Sequence, residues 1–268
     1  MERSVSARLV FKTVANTKVA MAIAVARNSG YSSFEESLSV TAGGGPVPLT
    51  EVSDHHGGRF HYMEFAEPAE VTVEYSATVG GRGEPEEAEL ADRIRYVRPS
   101  RYAESDRLLP TAYAEFEGVH GGGLLHAVRN WVNGELRYLS GSSRGTDGAV
   151  ETLLSRRGVC RDFAHLAIAL LRSKDIPARL AAVYAPGLSP MDFHAVAEAY
   201  VEGAWYIIDP TGLAPRESML RITAGRDSAD TAFLSTVGGS LILNQLQVTA
   251  VVNGALPVED PARLVELG

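Results

Sequence analysis

Arg157-Gly158-Val159-Cys160-Arg161-Asp162-Phe163-Ala164-His165-Leu166 opens a run that stays apolar at Ala167, Ala169, Leu170 and Leu171 before Arg172. No Gly or Pro interrupts it after Gly158. It stops ahead of Asp175-Ile176-Pro177, where proline discourages continuation of a helix. The run reads as a largely buried helix with Cys160 at its start. Cys160 is the single cysteine of the 268-residue chain, which removes intramolecular disulfides, multi-cysteine zinc sites and paired-cysteine redox chemistry together. The ordinary role of one cysteine is that of a small hydrophobe. At a helix N-terminus, however, free N–H groups and the dipole favour the thiolate. Gly158 permits close backbone approach, so a substrate carbonyl could meet both the sulfur and the Cys160 amide, a natural oxyanion donor.

A thiolate nucleophile needs a general acid for the leaving group, and histidine suits the task near neutral pH. Downstream of the helix, Ala178 to Tyr184, His194 to Val201 and Ala204 to Ile208 read as strands, the last two joined by Glu202-Gly203. If that dipeptide is a two-residue hairpin loop, Val201 faces Ala204, paired positions sum to 405, and Asp209 stands opposite Val196. His194 then shares a face with Asp209. Diagonal neighbours of this kind lie ~7–8 Å apart, a span that an imidazole and a carboxylate can bridge. Among the 7 histidines this arithmetic selects His194. The carboxylate would orient the imidazole and stabilise its protonated form.

The segments Arg157 to His165, Asp192-Phe193-His194-Ala195 and Trp205-Tyr206-Ile207-Ile208-Asp209-Pro210-Thr211 resemble, in this order, the catalytic core of the transglutaminase-like superfamily, in its bacterial cysteine-protease-like branch. Arg98-Pro99-Ser100-Arg101-Tyr102, Tyr138-Leu139-Ser140-Gly141-Ser142-Ser143 and Tyr184-Ala185-Pro186-Gly187-Leu188 extend the likeness over most of the chain after Arg98. The resemblance implies a papain-related α+β fold and a catalytic triad of Cys160, His194 and Asp209. One departure is Val196, where members often carry an aromatic residue two places after the histidine. Trp131, Tyr138 and Ser143 are candidates for a side-chain oxyanion donor. The expected activity is cleavage of an amide or peptide bond through a thioester on Cys160. Transfer of the acyl group to an amine, or a non-catalytic peptide-binding module, are the alternatives, and no residue pattern decides between water and amine as acceptor.

Working outward, the hydrophobic period changes near residue 80. Val19, Met21, Ile23 and Val25 share one face of a strand-like stretch, and Val71, Val73, Tyr75, Ala77 and Val79 share a face of another. Glycine and proline clusters punctuate them, so residues 1–80 are expected to form a small all-β sandwich. Residues 81–97, opening Gly81-Arg82-Gly83-Glu84-Pro85-Glu86-Glu87, read as a flexible linker. Residues 98–268 are expected to form the catalytic α+β domain, with helices over Gly123 to Tyr138 and Ala149 to Leu154.

Composition bounds the partners. With 25 Lys+Arg against 33 Asp+Glu the formal charge is 25 − 33 = −8, which disfavours a phosphate-backbone footprint, so no nucleic acid is expected. Val19 to Ala26 is far short of the roughly 20 apolar residues of a membrane span; it reads as a strand, and a cytoplasmic protein without membrane association is expected. Asp54-His55-His56 with His61 assembles ligand-type residues, but Gly57-Gly58 marks a turn and no second cluster accompanies them. That group reads as a solvated hairpin tip, and neither a metal nor an organic cofactor is expected. Asp162 reads as a helix cap, His165 as a structural histidine, and Arg216, Arg221 and Arg226 as surface arginines.

Overall fold

The structure, a computed structural model, describes residues 1–268. Its first strands are β1 (Glu2–Thr13), β2 (Thr17–Met21), β3 (Tyr31–Ala42), β4 (Gly45–Pro46), β5 (Thr50–Ser53), β6 (Arg59–Phe65) and β7 (Ala69–Gly81). There follow α1 (Leu90–Arg95), α2 (Ser105–Glu115), α3 (Gly121–Glu135), β8 (Arg137–Tyr138), α4 (Ala149–Ser155), β9 (Arg157–Gly158) and α5 (Cys160–Ser173). The remainder comprises β10 (Ala178–Tyr184), β11 (Phe193–Val201), β12 (Ala204–Ile208), β13 (Leu220–Gly225), α6 (Ser228–Thr231), β14 (Leu234–Thr236) and β15 (Leu241–Val252). The fold is α+β, as the two periods predict. No helix is long and apolar enough to cross a membrane.

Alternation builds the sandwich. Val5, Ala7, Leu9 and Phe11 of β1 and Val71, Val73, Tyr75, Ala77 and Val79 of β7 are buried, and the two strands pair antiparallel with Leu9 opposite Val73. One sheet has the order β15-β1-β7-β3-β4 and the other β14-β2-β6-β5. This corrects the expected division of the chain, because β14 and β15 belong to 98–268 by sequence and to the sandwich by pairing. β15 covers the edge of β1 from Arg3↔Val252 to Thr13↔Leu241, an edge that would otherwise expose a row of unpaired backbone groups.

Two further expectations are corrected. β2 ends at Met21, and Ala22 to Ala26 continue as buried irregular chain. Between the backbone bonds of Ala22 to Phe233 and Ala26 to Arg221, side chains satisfy the chain: the Tyr184 hydroxyl donates to the Ile23 carbonyl at 2.8 Å, the Val25 N–H donates to Tyr75 Oη at 2.9 Å, and Arg59 donates to the Val25 carbonyl at 2.8 Å. Residues 81–97 are not a free linker either. They contain α1, whose Asp92 is 1% exposed, and Glu86 accepts bonds from buried Arg179 at 2.9 and 2.6 Å. Charged residues read as solvated until distant partners are placed beside them.

The second half is organised on α5, which is buried along nearly its whole length. Phe163, Leu166, Ala167 and Leu170 pack with helices α2 to α4 and with Leu180, Ala197 and Ala199 of the sheet ordered β12-β11-β10-β13. A second cluster, Val183, Val196, Ile207, Met219, Val265 and Leu267, involves the same sheet. The Glu202-Gly203 loop has φ of 53° and 95°, the left-handed geometry of a primed two-residue hairpin turn.

Candidate active site

The position of Cys160 follows from how α5 begins. Asp162 Oδ2 accepts the Val159 N–H at 2.8 Å, which caps the helix, while Oδ1 accepts the Ser143 hydroxyl at 2.9 Å. Arg161 donates to Ser143 Oγ at 2.6 Å and to the Arg144 carbonyl at 2.8 Å, so the preceding loop is tied to the same turn. Gly158 is required by this cap: a Cβ there would lie 2.6 Å from the Asp162 Cβ. The sequence reading assigned that glycine to substrate approach; in the structure it makes room for Asp162. Across the short parallel pair β8–β9, Tyr138 stands beside Gly158. Burial, then the nearby Cys160 sulfur, push the Tyr138 phenol up to about 12.

The hairpin register is the one the sequence predicts. Val201 faces Ala204 and Ala197 faces Ile208, so continuing one step sets Asp209 opposite Val196. His194 Nε2 and Asp209 Oδ2 are 2.9 Å apart, and both side chains are 1% exposed. Asp209 Oδ1 accepts the Thr211 N–H at 2.9 Å and the Thr211 hydroxyl at 2.7 Å. Burial opposes ionisation of Asp209, but His194 and Thr211 outweigh it and hold the carboxyl below its usual range. For His194 burial opposes the charge, while the Asp209 carboxylate and, less strongly, the Cys160 sulfur push the imidazole up to about 10. With Nε2 engaged by Asp209, Nδ1 is the nitrogen left for the sulfur.

Cys160 and His194 line one cleft of about 520 Å³. Its floor is mostly apolar, with Leu180, Phe193, Ile222 and Phe233, while Arg101, Arg161 and Asp192 supply charge. Leu234 of β14 and Leu246 of β15 complete the wall. The strands that close the sandwich therefore also border the cleft, a contribution the expected domain boundary did not anticipate.

The structure brings together Cys160, His194 and Asp209, and it sorts the remaining candidates. The Trp131 indole N–H donates to Glu115 at 3.0 Å, and Ser143 is engaged by Asp162 and Arg161, so of the three oxyanion candidates Tyr138 alone remains beside Cys160. His165 is fully buried, accepts the Ser228 N–H at 3.1 Å and stacks on Tyr102; burial first of all pushes its pKa down to about 3. Arg226 is on the surface with Asp230, but Arg216 and Arg221 are buried, which corrects the sequence reading. Arg221 donates twice to Glu198 at 2.8 and 2.7 Å, and Arg179 donates to the same carboxylate at 2.9 Å. His56 and His61 also depart from expectation, since both are buried, whereas His55 is exposed as a hairpin tip should be; His61 lies near Glu51.

The family profile of the transglutaminase-like superfamily matches residues 122–210, the stretch that holds Cys160, His194 and Asp209. The crystal structure of a candidate cysteine protease from Cytophaga hutchinsonii superposes with a TM-score of 0.87 at 32% identity, covering 97% of this chain and 94% of that one. The chain belongs to the transglutaminase-like superfamily. An uncharacterized protein of Mycobacterium leprae is 32% identical over 123 residues, 41% of this chain and 43% of its own. An uncharacterized protein of Mycobacterium tuberculosis strain H37Rv is 41% identical over 69 residues, 26% of this chain and 21% of its own. The matches thus span less than half the length of these mycobacterial relatives. Membership of the transglutaminase-like superfamily places the chain among thiol-dependent acyl-transfer and protease-like proteins.

Proposed function

We propose that this chain is a thiol hydrolase that cleaves an amide or peptide bond through a thioester on Cys160, with His194 and Asp209 as its partners. The observation that carries the reading is the buried His194–Asp209 bond facing, across one cleft, the sulfur at the start of α5. In the first half-reaction the Cys160 sulfur attacks the carbonyl carbon, and the C–N bond breaks as His194 Nδ1–H protonates the departing amine. In the second, neutral His194 takes a proton from water, the hydroxide oxygen attacks the thioester, and the C–S bond breaks to release a carboxylic acid and regenerate the sulfur. The oxyanion of each tetrahedral intermediate is met by the Cys160 amide and the Tyr138 hydroxyl. A phenol held to about 12 stays protonated at neutral pH and is able to donate. The apolar floor favours a substrate with a bulky apolar group next to the scissile carbonyl.

The test is a library of peptide and carboxamide substrates, with intact-mass detection of an acyl adduct on wild type and on Cys160→Ala. A hydroxylamine-labile adduct on wild type alone, followed by release of the free acid, is the expected result. Product appearing only when an external amine is supplied shifts the assignment to a transferase. No adduct with any member of the library, from protein whose thiol alkylates normally, favours a peptide-binding module.

A further inference from the structure

The β5–β6 loop and α1 meet in a cluster of ligand-type side chains far from Cys160 in sequence. His55 Nε2 lies 3.1 Å from Asp92 Oδ1, and His56 Nε2 lies 3.9 Å from the same oxygen. One donor atom from each of the three residues falls within 4.8 Å of the others. We propose that His55, His56 and Asp92 form a binding site for a divalent transition-metal ion, with Zn²⁺ the best match.

Four features support the assignment. The spacing fits: metal–ligand distances of 2.0–2.2 Å in a tetrahedral zinc site set ligand atoms roughly 3.3 Å apart, close to the 3.1 and 3.9 Å seen between the histidine nitrogens and Asp92. The donor set fits, because two imidazoles and one carboxylate suit zinc and its neighbours better than calcium or magnesium, which prefer all-oxygen shells. Asp92 is 1% exposed, yet its Oδ2 has no hydrogen-bond partner, and a buried carboxylate oxygen in that state calls for a ligand. Finally, His56 Nδ1 is bonded to the Glu86 carboxylate, the kind of outer partner that fixes the tautomer and ring orientation of a metal-ligating histidine.

The loop is preset for this. Asp54 Oδ1 accepts the N–H groups of His56 and Gly58, each at 2.8 Å. At Gly57, with φ of 76°, a Cβ would meet the Arg27 carbonyl oxygen at 2.5 Å. Two groups yield to the ion. Arg95, half-exposed and 3.2 Å from Asp92 Oδ1, swings to solvent, and the Tyr96 hydroxyl gives up its 2.9 Å contact with His56 Nε2. Arg179 lies 3.1 Å from His56 Nδ1, but its charge is matched by Glu86 and Glu198. His55 is half-exposed, which leaves the fourth coordination position open to water. An ion here joins the sandwich to α1 and, through Glu86, to the sheet that carries His194.

The experiment uses the 268-residue chain carrying Cys160→Ala, so that the thiol cannot capture the ion. The protein is stripped with a chelator and titrated with Zn²⁺ against a chromophoric chelator, with Ca²⁺ and Mg²⁺ as separate arms. Saturable 1:1 zinc binding is expected, weakened ~100-fold or more by adding His55→Ala, since even outer-shell changes typically cost 10–100-fold. The thermal midpoint should rise with zinc in the first protein and stay fixed in the second. The exposure of His55 spares the fold, which the metal-free midpoint of the double variant checks. Absence of saturable zinc binding, or equal affinity in the two proteins, overturns the proposal, as does tighter binding of Ca²⁺ than of Zn²⁺.

Discussion

Strand β11 carries two buried ionic clusters, centred on His194 and on Glu198, and they differ in what they leave open. Around Glu198 every strong valence is closed. Its oxygens accept from Arg179 at 2.9 Å and from Arg221 at 2.8 and 2.7 Å, and Arg179 is further held by Glu86 and stacked on Trp205 at 4.2 Å. Burial opposes the Glu198 charge, but the two guanidinium groups outweigh it and hold the carboxyl below its ordinary range. Around His194 only one side is closed. Asp209 takes Nε2, and the rest of the ring borders the cleft with Cys160. Desolvation is costly in either place. A saturated cluster converts it into a rivet between β10, β11, β13 and the segment before α1, whereas an unsaturated one leaves one face of a charged imidazole turned to the cleft. Buried charge alone is therefore no mark of a reactive site; buried charge with a free valence toward a cleft is.

Substitutions should separate the two clusters by what they damage. Cys160→Ala is expected to remove amide turnover by more than ~10⁴-fold, as loss of a nucleophile does, while the urea midpoint stays near wild type. Arg179→Ala should do the reverse. Leaving Glu198 partly unpaired in the interior should cost about 3–5 kcal/mol of unfolding free energy, read as a lower urea midpoint, while the sulfur of the folded fraction keeps its alkylation rate. A stable Arg179→Ala protein with an inactivated thiol would merge the clusters into one functional unit.

Asp209→Asn should lower turnover by ~10²–10⁴-fold at neutral pH, because the imidazole loses both its orientation and the charge that keeps it protonated. The same pair sets a pH dependence of stability. His194 is raised from 6.5 to about 10 on folding, so its contribution is complete below about 6.5 and is lost as pH rises toward 10. Asp209 is depressed, so its share is present above 3.8 and is lost as pH falls below that value. Urea unfolding at pH 6 and pH 9 should show the alkaline loss in wild type and a flatter profile in Asp209→Asn; parallel profiles would detach the imidazole from the carboxylate. The smallest effect is expected at the cap. Asp162→Ala should destabilise by ~1 kcal/mol, the usual cost of an N-terminal cap, and slow alkylation modestly by loosening the first turn of α5.

What the sequence disclosed, and what it hid, follows the range of the forces involved. The helix from Cys160 and the hairpin from His194 were legible because each rests on local regularity: an apolar run with a proline stop, and a two-residue turn that fixes the pairing sum. His194 and Asp209 could be matched because that register reaches only a few residues beyond the strands. The closure of the sandwich by β14 and β15 was not legible, since it pairs Thr13 with Leu241, and no periodicity within either strand names its neighbour. α2 was hidden by Pro110 within it, a residue that argues against a helix interior. Arg179, Arg221, Glu86 and Asp92 were hidden for a different reason. Each looks like an ordinary surface charge until tertiary packing supplies a partner and removes the water.

The most direct measurement is the rate of iodoacetamide alkylation of Cys160 at neutral pH, followed by intact mass in native wild type, His194→Ala and Asp209→Asn. With one cysteine in the chain, every added carbamidomethyl group reports on that sulfur. The account predicts rapid modification of wild type, at least ~10-fold slower modification of His194→Ala, and an intermediate rate for Asp209→Asn. Identical rates in the three folded proteins would contradict it, because the sulfur would then owe nothing to the imidazole and carboxylate placed beside it.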